Sequence, residues 1–255
     1  MQRKIQHSVD LVIVLTQKEL KVKYKNSFLG YLWSIAHPLA FAFVFFLAFK
    51  IVMRVQVEDY ALFLIAGLFP WQWFSNSVNA SALAFLGNAS IIKKISFPRN
   101  LIPLTLVILD MIHFLLAIPI IVLFLFIYHK SPWLGWVYGI PILLVIQFAL
   151  TFGLCLIVSS TNLFFRDLER LIVIFTTLLF YFTPIIYPEE MIPAEFRNLI
   201  NLNPLSPLMV NWRHLFLTGS LDLSYLTVSL GYAIGTLAVG WWVYEKLSWK
   251  FAEVL

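Results

Sequence analysis

The side chains in this sequence with the clearest capacity for chemistry are polar residues set at helical spacing inside apolar blocks. Asp110 and His113 stand i, i+3 in the run from Leu101 to Tyr128, a spacing that brings two side chains together on one helix face. An acid beside an imidazole can pass a proton, and a charge at mid-bilayer costs at least about 2.5–3.5 kcal/mol, so the pair invites a proton-relay reading. No further ionisable groups continue the chain of transfer, which makes a structural or lumen-facing pair the better fit. Gln72, Asn76 and Asn79 follow i, i+4, i+7, with Trp71, Trp73 and Phe74 alongside, and Gln147, Thr151, Cys155, Ser159 and Asn162 make a second stripe. Polar groups in lipid are tolerated where they face protein or water. Two readings follow: the stripes line a hydrophilic passage, their aromatic neighbours stacking on sugars, or they hydrogen-bond helix to helix at about 0.6–2 kcal/mol per contact.

Catalytic constellations are missing. The sequence has no G-x-x-x-x-G-K-[ST] phosphate loop, no H-E-x-x-H, no G-x-S-x-G and no paired-carboxylate loop, so neither catalytic residues nor a metal site is expected. Its single cysteine, Cys155, lies in an apolar block and supports no disulfide framework or metal cluster. A pump built from this chain needs its ATP site elsewhere.

The elements that must position these residues are apolar helices. With 61% hydrophobic and 12% charged residues and a mean hydropathy of +0.86, the chain has too little polar surface to cover a soluble core, and an all-α integral membrane protein is expected. Taking about 20 apolar residues per span, six transmembrane helices are expected, at Tyr31 to Met53, Tyr60 to Leu86, Leu101 to Tyr128, Trp136 to Leu163, Leu171 to Tyr187 and Tyr225 to Leu247. Of the 18 basic residues, Arg3, Lys4, Lys18, Lys21, Lys23, Lys25, Lys93, Lys94, Arg99, Arg166, Arg170, Lys246 and Lys250 fall on one side of that arrangement. Lys50, Arg54, Lys130, Arg197 and Arg213 fall on the other, so the positive-inside rule puts both termini in the cytoplasm. The net charge of +5 is thereby explained by topology, without nucleic acid. Leu11 to Leu15 is too short and too closely followed by lysines for a cleavable signal peptide.

Residues 1–30 read as an N-terminal interface segment, with an amphipathic helix from Asp10 to Phe28, and residues 31–255 as the six-span domain. Within that domain, residues 87–100 form a basic connection, Lys93, Lys94 and Arg99 without an acid, read as a short surface helix ended by Phe97-Pro98. Residues 188–224, cut by Pro193, Pro204 and Pro207, yield apolar pieces too short to span, read as re-entrant or interfacial helices. Arg166, Asp167, Glu169 and Arg170 form a mixed-charge cluster. Gly231 and Gly235 make a GxxxG that permits close helix packing.

Several segments in order resemble the membrane subunit of type 2 ABC exporters, in particular the polysaccharide and O-antigen export family. ELKVKYKNSFLGYLWSIAHPL, Glu19 to Leu39, is similar to that family's interface helix leading into the first span, and IIKKISFPRNLIPL to its coupling segment. NLFFRDLERL from Asn162, YFTPIIYP from Tyr181 and LNPLSPLMVNWRHLF from Leu202 resemble its fourth-to-fifth loop, fifth-span end and re-entrant region.

The resemblance implies a permease rather than an enzyme: a homodimer in the bacterial inner membrane above two separate ATPase subunits, which would hold ATP and Mg, this chain itself binding no cofactor. The cargo would be a polyprenyl-pyrophosphate-linked polysaccharide. Ile91, Lys93, Lys94, Phe97 and Arg99 would couple to the ATPase, and Lys21, Lys23 and Lys25 would reach the lipid pyrophosphate. Trp71, Gln72, Trp73, Asn76, Asn79, Gln147 and Thr151 are expected to line the channel on grounds of polarity and periodicity. Teichoic acid, capsule, lipid or drug export by the same architecture, a proton-coupled secondary transporter and an intramembrane lipid-modifying enzyme are the alternatives.

Overall fold

The computed structural model describes residues 2–24, 33–94, 97–193, 195–196 and 202–254, all of them in helices or the turns between them. The helices are α1 (Gln2–Tyr24), α2 (Trp33–Phe45), α3 (Tyr60–Ser81), α4 (Ala84–Gly87), α5 (Ala89–Lys94), α6 (Leu101–Ile127), α7 (Trp136–Asn162), α8 (Leu168–Phe182), α9 (Ser206–Thr218), α10 (Leu223–Ser248) and α11 (Phe251–Val254). α2 continues without interruption into a π-helical turn, Phe46–Val52. No strand occurs among the described residues, as a chain that must satisfy its backbone inside lipid requires of anything but a closed barrel.

Three helices, α6, α7 and α10, are long and apolar enough to cross a membrane. α3 is as extended, 22 residues or about 33 Å, but Gln72, Ser75, Asn76, Ser77 and Asn79 crowd its C-terminal half. It stops at Ser81, short of the expected Leu86, and α4 follows as a separate turn. α8 has only 15 residues, about 22 Å against a hydrocarbon thickness of about 30 Å. It begins at Leu168, and Thr183-Pro184 turns the chain where the sequence suggests a longer helix.

α3 is the centre of the molecule. α6, α7, α9 and α8 pack around it, and nearly every residue from Tyr60 to Phe74 is buried. α7 and α10 form the tightest pair. A Cβ on Gly153 would strike the Thr236 backbone, and one on Gly240 would strike the backbone of Gly153, so both positions require glycine for two backbones to touch. The GxxxG glycines do not make this contact. Gly231 and Gly235 face open space on the outer side of α10, because the packing face of that helix is set by Ser229, Ala233 and Gly240.

α1 lies across the start of α6 with Leu15 and Thr16 buried. Lys18 Nζ donates to Asn88 Oδ1 at 2.9 Å, tying α1 to the connection between α4 and α5. Asp10 and Lys21 are exposed, as an amphipathic helix at an interface would present them.

Candidate functional site

The end of the bundle that carries residues 87–100 is termed proximal, and the end that carries α9 distal. The distal end is filled by α9. Ser206-Pro207 start it, proline being tolerated in a first turn, and Gly219, at φ +71°, ends it with its N–H on Leu215 O at 3.0 Å. Leu205 to Arg213, Leu215 and Phe216 are all buried. Trp136 Nε1 donates to Leu215 O at 2.8 Å and Trp133 Nε1 to Leu217 O at 3.1 Å, so the start of α7 holds the carbonyl end of α9. Asn211 makes a two-way bond with the Asp222 backbone, Oδ1 accepting at 2.8 Å and Nδ2 donating at 3.2 Å, and Asp222 Oδ1 caps α10 at Tyr225 N. Arg213 Nη2 donates to Pro184 O at 2.6 Å and Ile185 O at 3.0 Å, its guanidinium 3.7 Å from the Phe63 ring centroid. This cation is only 5% exposed, and ring and carbonyls replace part of the water it has lost. Tyr60 Oη donates to Ile186 O at 2.7 Å, completing the seam between α3 and the turn after α8.

Aromatic rings continue inward from that plug. Trp73 stacks on Phe114, which meets Trp212 edge-on at 5.0 Å, and Trp212 stacks on Phe216 at 5.4 Å. Gln147, fully buried, joins three helices: its Nε2 donates to Pro70 O of α3 at 2.7 Å and its Oε1 accepts from Trp212 Nε1 of α9 at 2.6 Å.

This arrangement divides the residues expected to line a channel into two groups. Trp71, Trp73, Gln147 and Thr151 are buried in protein: Trp71 packs on Phe74 and Phe180, and Trp73 Nε1 donates to Val107 O of α6. Trp73 and Gln147 hydrogen-bond helix to helix, the second of the two readings of polar stripes, while Thr151 Oγ1 is buried without a hydrogen-bond partner among the described residues. Asn162 at the far end of the α7 stripe also bonds beyond its own helix, its Nδ2 on Ala82 O at 2.7 Å and its Oδ1 receiving Glu169 N–H, whereas Ser159 Oγ bonds within α7 to Leu156 O. Gln72, Asn76 and Asn79 form the other group. Gln72 and Asn79 are half-buried and Asn76 is exposed, with Ser75 beside them and Thr176 Oγ1 of α8 donating to Asn79 Oδ1 at 3.1 Å. On the proximal half of α3, below the plug, Asn76 thus stands exposed between the half-buried Gln72 and Asn79.

Asp110 and His113 are buried between α6 and α3. His113 Nδ1 lies 3.5 Å from Asp110 Oδ1, and Ser77 Oγ donates to Asp110 Oδ2 at 3.0 Å. Among the described residues no cluster of His, Cys, Asp or Glu is placed to hold a metal ion.

At the proximal end, Lys93 and Lys94 of α5 are exposed and Ile91 half-buried. Phe97 leans on the chain's own apolar cluster of Phe85, Ile92, Ile102, Leu163 and Phe251. Arg99 bonds to the carboxyl end of α10, a contact that charge patterning does not disclose. Of the lysines expected at a lipid pyrophosphate, Lys21 is exposed on α1; Lys23 belongs to the same helix, its side chain outside the described residues, as is Lys25 altogether. The piece beginning at Pro193 that was expected to be a re-entrant helix falls largely outside them too.

Over residues 10–217 the sequence matches the ABC-2 type transporter family. O-antigen export system permease protein RfbA of Klebsiella pneumoniae is 49% identical over 246 residues, covering 96% of this chain and 95% of the relative. A protein of the same name from Myxococcus xanthus is 32% identical over 247 residues, covering 95% and 94%, and polysialic acid transport protein KpsM of Escherichia coli is 24% identical over 249, covering 92% of each. With apolar helices packed about α3 and a match that takes in most of its length, the chain belongs to the ABC-2 type transporter family of membrane proteins.

Proposed function

We propose that this chain is the membrane subunit of an ATP-driven exporter that carries a lipid-linked polysaccharide of O-antigen type across the bacterial inner membrane. It works as a homodimer of six-span subunits, the spans being α2 with its π turn, α3, α6, α7, α8 and α10, with both termini in the cytoplasm and α1 in the inner interface. Two separate ATPase subunits hold ATP and Mg beneath it, seated on Ile91, Lys93 and Lys94. Lys21 is exposed on α1, and a lipid pyrophosphate is the anion that Lys21, with Lys23 and Lys25 beside it in the sequence, would suit.

The observation that carries this reading is the amide strip on α3, the central helix, where Asn76 is exposed and Gln72 and Asn79 are half-buried. Amides do not face hydrocarbon at no cost, so the strip belongs against water or a second copy, and its donors and acceptors match sugar hydroxyls. α9 closes the distal end above it. The proximal side is then the cargo's entrance, and ATP must favour a packing in which the plug yields, through contacts that differ between the two packings. Relatives named for O-antigen export at 49% identity support the cargo class. The relatives named for polysialic acid transport favour capsule-type polymer as the second choice.

The test is export of polymer in a strain lacking its own permease, with this chain and its ATPase supplied together. Surface polymer is expected with the wild type, and loss of most of it with Gln72→Leu/Asn76→Leu at unchanged membrane abundance. Transport by this chain in vesicles without any ATPase would refute the reading. Abolition of transport in Asp110→Asn with ATP hydrolysis unaltered would instead favour proton coupling.

A further inference from the structure

The segment joining α5 to α6 is fastened at its far side to the carboxyl end of the chain. Arg99 Nη1 donates to Ser248 O at 2.7 Å, and Asn100 N–H donates to Tyr244 Oη at 3.1 Å. A helix's last carbonyls carry partial negative charge and favour a cation, so α10 ends in a natural socket for Arg99. The guanidinium also lies 6.0 Å from the centroid of the Phe251 ring. Phe251 is fully buried and is the hub of the region, 4.8 Å from the ring of Phe85 on α4, 6.0 Å from Tyr244 and 6.4 Å from Phe164 after α7. Phe97 packs partly on the same cluster.

Residues 97–100 are therefore attached twice, covalently to α6 and by side chains to α10. α10 in turn is locked to α7 where Gly240 and Gly153 touch, and α7 reaches the distal plug through the bond between Gln147 and Trp212. A push on α5 transmitted by the covalent join alone would move α6. The second attachment carries it to the pair α7–α10 and so to α9.

We infer that the turn from Tyr244 to Phe251 is a clasp that passes movement of the proximal connection into α10 and α7, and that Arg99 and Tyr244 are positioning residues for transport rather than contacts to the ATPase. This rests on the exporter reading given above. A residue whose only role is to bind the ATPase weakens assembly when neutralised. A clasp residue leaves assembly and hydrolysis in place and lowers the cargo moved per ATP.

The test uses the complete complex in proteoliposomes, measuring co-purification of the ATPase, ATP hydrolysis and polymer transport separately. Arg99→Gln is expected to retain the first two while transport per ATP falls about tenfold or more, the loss of one charge-assisted bond, and Tyr244→Phe to lower it by about fivefold, the loss of a neutral one. Arg99→Lys, which keeps a cation able to reach Ser248 O, recovers most of the transport. Arg99→Cys paired with Ser248→Cys and joined by a short bismaleimide restores transport lost in Arg99→Cys; the native Cys155 is buried and does not compete. Wild-type transport in both Arg99→Gln and Tyr244→Phe overturns the clasp, as does loss of the ATPase from the Arg99→Gln complex. A wild-type complex that hydrolyses ATP yet moves no lipid-linked polysaccharide overturns the exporter reading, and the clasp falls with it.

Discussion

Gln147 ties the distal plug to α3, and its removal has a magnitude that can be worked from the structure. In Gln147→Leu the side chain keeps nearly its volume but loses the bonds to Pro70 O at 2.7 Å and from Trp212 Nε1 at 2.6 Å. Bonds between membrane helices average about 0.6 kcal/mol and reach about 1.7. Here the Trp212 N–H is also left at a site with 0% exposure, and an unsatisfied buried donor costs about 1–3 kcal/mol. The expected loss is about 2–3 kcal/mol, roughly 30- to 150-fold in the folding equilibrium. Trp212→Phe keeps the ring stack on Phe216 and removes only the N–H, at an expected cost of about 1 kcal/mol. Because the double mutant Gln147→Leu/Trp212→Phe removes both partners, its cost should fall short of the sum of the singles by about 1 kcal/mol. The assay is unfolding of the purified chain from mixed micelles by added SDS, followed by circular dichroism. Singles that sum to the double within about 0.3 kcal/mol would refute the pairing.

Other perturbations follow from the same geometry. Gly153→Leu or Gly240→Leu has no room at the α7–α10 contact and should cost more than the about 1–3 kcal/mol of ordinary overpacking, seen as loss of folded protein in detergent. Gly235→Leu faces open space and should leave that stability unchanged. Arg213→Met severs two bonds to the turn at Pro184 and Ile185 and the stack on Phe63; at about 1.5–3 kcal/mol for a bond to a charged group, the turn should become cleavable by added protease near Tyr187 while the rest of the chain resists. Lys130→Ala breaks a bridge to Asp59 of 2.6 Å between side chains 40% and 25% exposed, and should cost no more than about 1 kcal/mol in the same unfolding assay.

What the sequence alone determined is whatever depends on composition and local spacing. The apolar blocks from Leu101 to Tyr128, Trp136 to Leu163 and Tyr225 to Leu247 correspond to α6, α7 and α10 within a few residues, because a run of apolar side chains that long has no other way to satisfy its backbone in lipid. The proline-delimited start of α9 was legible too, because a proline is tolerated in a helix's first turn and not in its interior. Periodicity also placed Gln72, Asn76 and Asn79 on one face correctly, and Gln147 with Thr151 on another. Periodicity says which residues share a face, not what the face meets, and only packing decided that the first stripe leaves Asn76 exposed while Gln147 is spent on Pro70 and Trp212. Likewise a GxxxG at Gly231 and Gly235 looks the same in sequence as a single Gly240 that does touch its neighbour; the rotation of α10 about its axis made the choice. Arg99 reads from its neighbours as one of three basic residues in a loop. Its partner is a backbone carbonyl 149 residues away, and a carbonyl carries no residue type for a sequence to display.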